Sequence, residues 1–209
     1  WSSDVCSSDL HKYCVINNIE LCKMKIYILK SDFKNNSFFL QHKANDEGIK
    51  GISMGWKWNK PLNYKTTSFK IHAGDNGKKN YKNDISSATS PFYIISESTW
   101  NALKDILENR GVLLDIITES KQKRFYGYYT TNMLPTGALN KELSDYTEYS
   151  NGLLVREPVL NKSSITDDFI FTIQESISHT FVTEKFKERV EQAGLKGFDF
   201  SDEVKVVNL

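Results

Sequence analysis

The sequence predicts an α+β fold, a mixed and mostly antiparallel sheet with two principal helices at about 99–110 and 184–193. Three observations lead there. Phe169, Phe171 and Ile173 alternate as the buried face of a strand does, and the polar stretch Gln174 to Ser178 turns the chain back into Thr180-Phe181-Val182, making a hairpin. Next, Thr183 stands where a first-turn N–H needs an acceptor, Phe186, Val190 and Ala193 recur at helical spacing, and Gly194 ends that helix. Val190 and Leu195 hold the two positions whose apolar contact accompanies such a glycine stop, and Phe198-Asp199-Phe200 resumes as a short strand. The third observation is that the plan occurs twice. Phe92 to Ile95 is apolar, Ser96 or Ser98 can cap, and Trp100, Leu103, Ile106 and Leu107 share a face. Gly111 stands at the stop, with Leu107 and Val112 beside it, and Val112 to Ile117 follows as a strand. Two such units are either an internal repeat or two instances of a commonplace arrangement, and their scant residue identity leaves both open.

Residues 1–10, Trp-Ser-Ser-Asp-Val-Cys-Ser-Ser-Asp-Leu, look like the in-frame translation of a short-read sequencing adapter. Residues 1–23 are therefore expected to be an artefactual or read-through leader, and Met24 the natural start. The expected organisation is one domain over 24–209, with an N-terminal lobe over 24–90 and a C-terminal lobe over 91–209; a domain of that size buries roughly 70% of its unfolded surface. Cys6, Cys14 and Cys22 all precede Met24, which leaves the domain no disulfide and no thiol chemistry. Setting aside Lys12 and Lys23, and Asp4, Asp9 and Glu20, leaves 25 basic against 23 acidic residues, net +2. Such a balance gives no basic footprint for nucleic acid. No apolar run approaches the roughly 18 residues that a membrane span needs, and no signal-peptide stretch follows Met24. The expectation is a cytoplasmic protein without membrane contact.

From Met24 to Ser90, strands are expected at Met24 to Leu29, Ser37 to Gln41 and Thr67 to His72. Between them Gly48 to Leu62 carries three glycines, Trp56, Trp58 and Pro61. A Trp-Lys-Trp pair places both indoles on one face of an extended segment, either as a small core anchor or as an exposed aromatic hot spot. Residues 73–90 read as a polar loop and the internal boundary. Gly74 to Lys79 fails as a phosphate loop, because His72 stands where a glycine is needed and Lys79 where Ser or Thr would hold magnesium. Lys121, Lys123 and Arg124 precede Phe125-Tyr126-Gly127-Tyr128-Tyr129, faintly like an RNA-stacking strand, yet the glycine after the basic residue and a second such strand are missing.

No catalytic or metal-binding constellation emerges. Beyond the leader, His42, His72 and His179 form no His-x-x-x-His pair, there is no cysteine cluster, and no Gly-x-Ser-x-Gly elbow occurs. His179 reads as a solvated turn residue. Asp167 and Asp168 read as the end of a loop before a strand, and Asp199 as an outward residue between Phe198 and Phe200.

From Phe92 to Phe200 the chain resembles immunity proteins of bacterial polymorphic-toxin systems, the Imm-eleven or MXAN-type immunity domain family and its sibling Imm-forty-three. Three pieces carry the likeness: Phe92-Tyr93-Ile94-Ile95-Ser96-Glu97 before the first helix; Phe125 to Leu134 with Asn132, then Ala138-Leu139-Asn140 and Ser144; and Phe169-Ile170-Phe171, Phe181 to Phe186 and Gly194 to Phe200 as a closing strand-helix-strand. Asn140 stands where the family pattern has Asp, and Thr183 where Ser is commoner. The resemblance implies a protein that neutralises a cognate toxin domain by binding it, with no catalysis and no cofactor. Such a role needs a preformed surface with a few anchors and complementary local charge. Candidate contacts are Trp56 and Trp58 in the N-terminal lobe, the Lys78, Lys79 and Lys82 loop, and the acidic aromatic segment Asp145, Tyr146, Glu148 and Tyr149, which reads either as a contact for a basic toxin or as a solvated loop. The competing classes are an enzyme without a familiar motif, acting on a nucleotide or peptide, and an RNA-binding module that needs Lys121, Arg124, Tyr126 and Tyr128 exposed on one face.

Overall fold

The computed structural model describes residues 24–32, 38–41, 64–73, 81–89, 91–150, 152–167 and 169–208. In chain order the described strands are β1 (Ile26–Ile28), β2 (Lys30–Ser31), β3 (Phe38–Gln41), β4 (Thr67–His72), β5 (Ile85–Thr89), β6 (Phe92–Ser96), β7 (Gly111–Thr118) and β8 (Phe125–Thr130). They continue with β9 (Met133–Leu134), β10 (Asp145–Tyr149), β11 (Gly152–Glu157), β12 (Val159–Asn161), β13 (Ile170–Ile173), β14 (Ser176–Thr183), β15 (Phe198–Asp199) and β16 (Glu203–Val207). Helix α1 (Glu97–Leu107) follows β6, and helix α2 (Glu184–Gln192) follows β14. The fold is α+β. Its strands divide between two six-stranded sheets, ordered β3-β4-β7-β8-β6-β5 and β12-β16-β1-β14-β13-β9, with two small pairs, β10-β11 and β15-β2. Among the described strands only β4 with β7, β12 with β16 and β13 with β9 are parallel.

The two sheets repeat one plan. In order and direction, β4-β7-β8-β6-β5 corresponds to β12-β16-β1-β14-β13. Each unit is a hairpin whose second strand runs into a helix, and a later strand, β7 in the first unit and β16 after the short β15 in the second, returns parallel to it with one antiparallel strand between. In the first unit that middle strand is β8, next in sequence; in the second it is β1, from the other end of the domain. The correspondence reaches side chains. Ser96 and Thr183 cap the two helices, and the following N–H groups, of Glu97 and Glu184, donate to the carbonyls of Arg124 and Lys25. Tyr126 of β8 donates its hydroxyl to Glu97, and Tyr27 of β1 donates to Glu184. A cation sits over each ring, Arg124 at 4.8 Å from the centre of Tyr126 and Lys187 at 5.0 Å from that of Tyr27.

Each sheet curls around its own apolar interior. Phe39 on the edge strand β3 donates its N–H to Ser86 of β5, and its ring lies 5.0 Å from Phe125, so the first sheet nearly closes around Phe69, Phe92, Ile94 and Leu114. In the second, the chain leaving β9 crosses to the opposite edge, where Leu139 pairs with Leu160, enclosing Ile26, Phe171, Ile173 and Phe181. Both helices lie in the third cluster, where Leu103, Ile106, Phe186 and Val190 meet Tyr27, Tyr93 and Tyr128 from the sheets. Arg189 of α2 forks onto Asp105 of α1 with both bonds at 2.9 Å, holding that carboxyl below its usual range.

Several expectations change in detail. The first helix covers Glu97–Leu107 instead of 99–110, because Ser96, not Ser98, takes the cap and accepts the Thr99 N–H at 3.1 Å. Gly111 does not stop it. This glycine opens β7, where a Cβ would lie 2.4 Å from the Tyr128 ring and 2.6 Å from the Tyr129 carbonyl. Gly194 does act as a stop, at φ +64°, with Leu195 N–H donating to Val190 and Gly194 N–H to Glu191. On β13 the alternation at Phe169, Phe171 and Ile173 gives way to burial of all four residues of Ile170–Ile173, since the strand has an apolar cluster on each side. The stretch 73–90 is not loop throughout, because β5 occupies Ile85–Thr89 and pairs with β6. The sheets also cross the 90/91 line: β1 fills the second sheet and β5 joins β6.

His179 lies on β14 and not in the turn. Its Nδ1 is 2.6 Å from the buried Ser176 hydroxyl, and burial holds its pKa below the ordinary value, helped by Lys30 and opposed by Asp202. A folded pKa below the unfolded one means that its stabilisation is complete above about pH 6.5 and is lost as pH falls through the folded value. Urea midpoints measured from pH 7.5 to 5 should therefore decline less in His179→Gln than in the wild type; parallel declines would remove His179 as the cause. Asp105, Asp145 and Glu184, whose carboxyls are held low, add their own loss in more acid solution.

Candidate interaction surface

The segment Asp145 to Tyr149 is one strand of a hairpin outside both large sheets. Its base is a clamp of polar groups. Asn140, 5% exposed, accepts the Leu143 N–H at 3.0 Å through Oδ1 and donates through Nδ2 to Asn161 Oδ1 at 2.9 Å. The Ser144 hydroxyl donates to the Asn140 carbonyl and accepts the Val159 N–H, while the Asn140 N–H donates to the Val159 carbonyl. Both feet of the hairpin are thereby held together. An amide at position 140 donates and accepts at once, which a carboxylate does not. Asn140→Asp should cost about 1–3 kcal/mol, the penalty of opposing a buried carboxylate to the Asn161 oxygen. A denaturation midpoint equal to wild type would show that Asn161 simply reorients.

Above the clamp the register pairs Tyr146 with Val155, Thr147 with Leu154, Glu148 with Leu153 and Tyr149 with Gly152, with a bulge between Asp145 and Tyr146. Alternation then sorts the side chains. Tyr146, Leu153 and the buried Val155 turn inward against the interior of the second sheet. Asp145, Thr147, Tyr149, Leu154 and Arg156 share the other face. Arg156 forks onto Asp145, with Nε 2.8 Å from Oδ2, and reaches Thr147 Oγ1 at 2.8 Å, so this guanidinium holds the Asp145 carboxyl below its usual range. Tyr149 and Leu154 are 54% and 48% exposed, and Leu143 at the base is 54% exposed. Three of the six large hydrophobic residues exposed among the described residues therefore gather on this hairpin and its lead-in turn.

Of the residues expected at the surface, Asp145, Glu148 and Tyr149 are exposed here, whereas Tyr146 is half-buried and serves as an inward anchor. Trp56, Trp58, Lys78 and Lys79 lie outside the described residues. Lys82 is exposed, and its carbonyl accepts from Lys123. Leu154 and Arg156 were not candidates from the sequence; the Asn151-Gly152 dipeptide between two alternating runs is the signal that points to a hairpin there.

The face that RNA stacking requires is not open. Tyr128 is 2% exposed and donates its hydroxyl to the Leu107 carbonyl, and burial pushes its pKa up. Asp167, at the end of the loop before β13, is bound to Arg110 at 2.7 Å and accepts the Phe169 and Ile170 N–H groups. Two depressions of about 380 and 400 Å³ lie beside Lys121 and Arg124 and at the foot of the hairpin beside Asn140 and Glu142. In the first, Lys123 is engaged by Asp84 at 2.8 Å; in the second, Asn140 and Asn161 are engaged by each other. Among the described residues no group of His, Cys, Asp and Glu is placed to hold a metal, and no helix is long and apolar enough to cross a membrane. No protein-family model matches the chain, and no curated protein matches it significantly.

Proposed function

We propose that the chain is a non-catalytic immunity protein that neutralises a cognate bacterial toxin domain by binding it in the bacterial cytoplasm, without a cofactor. One observation supports this reading most: a hairpin held at its base displays Tyr149 and Leu154 beside Asp145 and Arg156 on one face, with Glu148 exposed on the other face of the same strand. Clamped aromatic and aliphatic anchors ringed by charge suit tight association, because little side-chain or loop ordering remains to be lost on binding. Trp56 and Trp58 are proposed as a second contact set.

The test is co-expression of residues 24–209 in a bacterial host with the last 150 or so residues of the protein encoded beside it, a rough domain length. The expected result is that the neighbour kills alone, that co-expression restores growth, and that the two co-purify. A harmless neighbour, or two folded proteins that form no complex, would overturn the reading.

A further inference from the structure

We infer that the toxin segment docks as an extended strand along the free edge of β10, with cationic side chains set against the carboxylates of the hairpin; this rests on the toxin-binding reading above. In an antiparallel pair, alternate residues turn their N–H and C=O groups away from the partner strand. Among the described residues β10 pairs only with β11, and no described backbone group takes the outward groups of Asp145 to Tyr149. β11 is the strand that lies toward the body, near β14, so β10 carries the open side. Proteins usually blunt such an edge with Lys, Pro or a bulge. Here the bulge falls at Asp145 and Tyr146, and Thr147-Glu148-Tyr149 continues regularly without Lys or Pro. An unblunted edge that is clamped at its base is what strand addition uses.

Charge selects the occupant. Residues 141–157 hold Glu142, Asp145, Glu148 and Glu157 against Lys141 and Arg156, and Arg156 is already engaged by Asp145, in a chain whose overall charge is +1. A second copy would bring the same acidic edge against itself. A basic strand there sets its cationic side chains beside Glu148 on one face and its alternate side chains beside Thr147 and Tyr149 on the other, where Leu154 continues the apolar surface one strand further in.

The experiment uses the unmodified chain and, as probe, the toxin domain of the co-expression test. Amide hydrogen exchange of the complex should slow at alternate residues of Asp145–Tyr149, a readout that needs no variant. Glu148→Lys should reduce the association rate at low salt by about tenfold or more. Tyr149→Ala combined with Leu154→Ala should weaken binding by about a hundredfold, while Ile117→Ala, an exposed apolar site on β7, leaves it unchanged. Circular dichroism melts establish that each variant is folded. A neutralising complex in which the β10 amides exchange as in the free protein overturns strand addition and leaves the immunity reading standing. Dimerisation of the chain alone through the same amides overturns it in favour of self-pairing. If the probe is neither toxic nor bound, the immunity reading fails and this inference fails with it.

Discussion

Asp84→Ala should lower the stability by about 3–5 kcal/mol, the range for stripping a buried, multiply bonded carboxylate from its partners. Asp84 is 5% exposed and stands just before β5. Its Oδ1 accepts the Ser96 hydroxyl and the Lys123 ammonium, both at 2.8 Å, and its Oδ2 accepts the Lys196 N–H at 2.9 Å. Its own N–H donates to the Lys196 carbonyl, and its carbonyl accepts from the Ser96 N–H and the Thr99 hydroxyl. One residue thus ties the α1 cap, the loop before β8 and the stretch after α2, which belong to different repeat units. Alanine leaves the Lys196 N–H without its side-chain acceptor, takes from the Lys123 ammonium its carboxylate partner and leaves it the Lys82 carbonyl, and loosens the cap. Asp84→Asn keeps one acceptor oxygen but turns donors toward donors, for a smaller loss of about 1–3 kcal/mol. Since domains of this kind are stable by about 5–15 kcal/mol, the alanine variant approaches the margin. Urea unfolding at unchanged m-value is the measurement, and an alanine variant within 1 kcal/mol of wild type by that measure would remove Asp84 as the joint.

Removing β1 should have the largest effect of all. A chain beginning at Lys30 loses Ile26, Tyr27 and Leu29, all at most 4% exposed, and each such side chain contributes about 1.5–3 kcal/mol by burial. It also parts β14 from β16, which β1 joins. The expected product is unfolded or aggregated. A circular permutant separates loss of the strand from change of order. It opens between Lys121 and Gln122, both exposed, and joins Val207 to Met24 by a linker of about the length of residues 119–124. β16 and β1 are antiparallel neighbours, with Ile26 opposite Val204, so that join is short. The permutant begins with β8 and has β16 leading into β1, which exchanges the roles of the two units. It should fold to a monomer with the native circular dichroism spectrum and a cooperative melt. If it fails while the opened loop alone is tolerated, the two units are not interchangeable.

The local elements were legible because they depend on neighbours in the chain. Thr183 before Phe186 and Val190, and Gly194 after them, state a helix with its cap and its stop whatever lies around it. Thr67 to His72 alternates, and it is a strand with those bounds. Where the reading slipped, a distant group decided between two local options. Ser96 rather than Ser98 caps α1 because Asp84 binds the Ser96 hydroxyl, and Gly111 enters a strand because the Tyr128 ring fills the space where a side chain would go. Tyr128 looks solvent-ready in sequence and is buried in a cluster assembled from both ends of the domain, and His179 is half-buried on β14 beside Ser176.

For the surface, the residue types at 145–149 showed an acidic aromatic segment, but not which side chains point out. That follows from register: pairing with Gly152–Glu157 turns Tyr146 inward and sets Tyr149 beside Leu154 and Arg156. By itself, then, the sequence determined the α+β class, both helices, the cap and the glycine stop of the second, and two similar units, since these rest on periodicity and on contacts a few residues apart. Only the tertiary structure decided that there are two curled sheets, that β1 takes in the second the place β8 holds in the first, and that Asp84 joins them. Those facts depend on pairings between residues more than a hundred positions apart, such as Ile26 with Thr183, which no local pattern encodes.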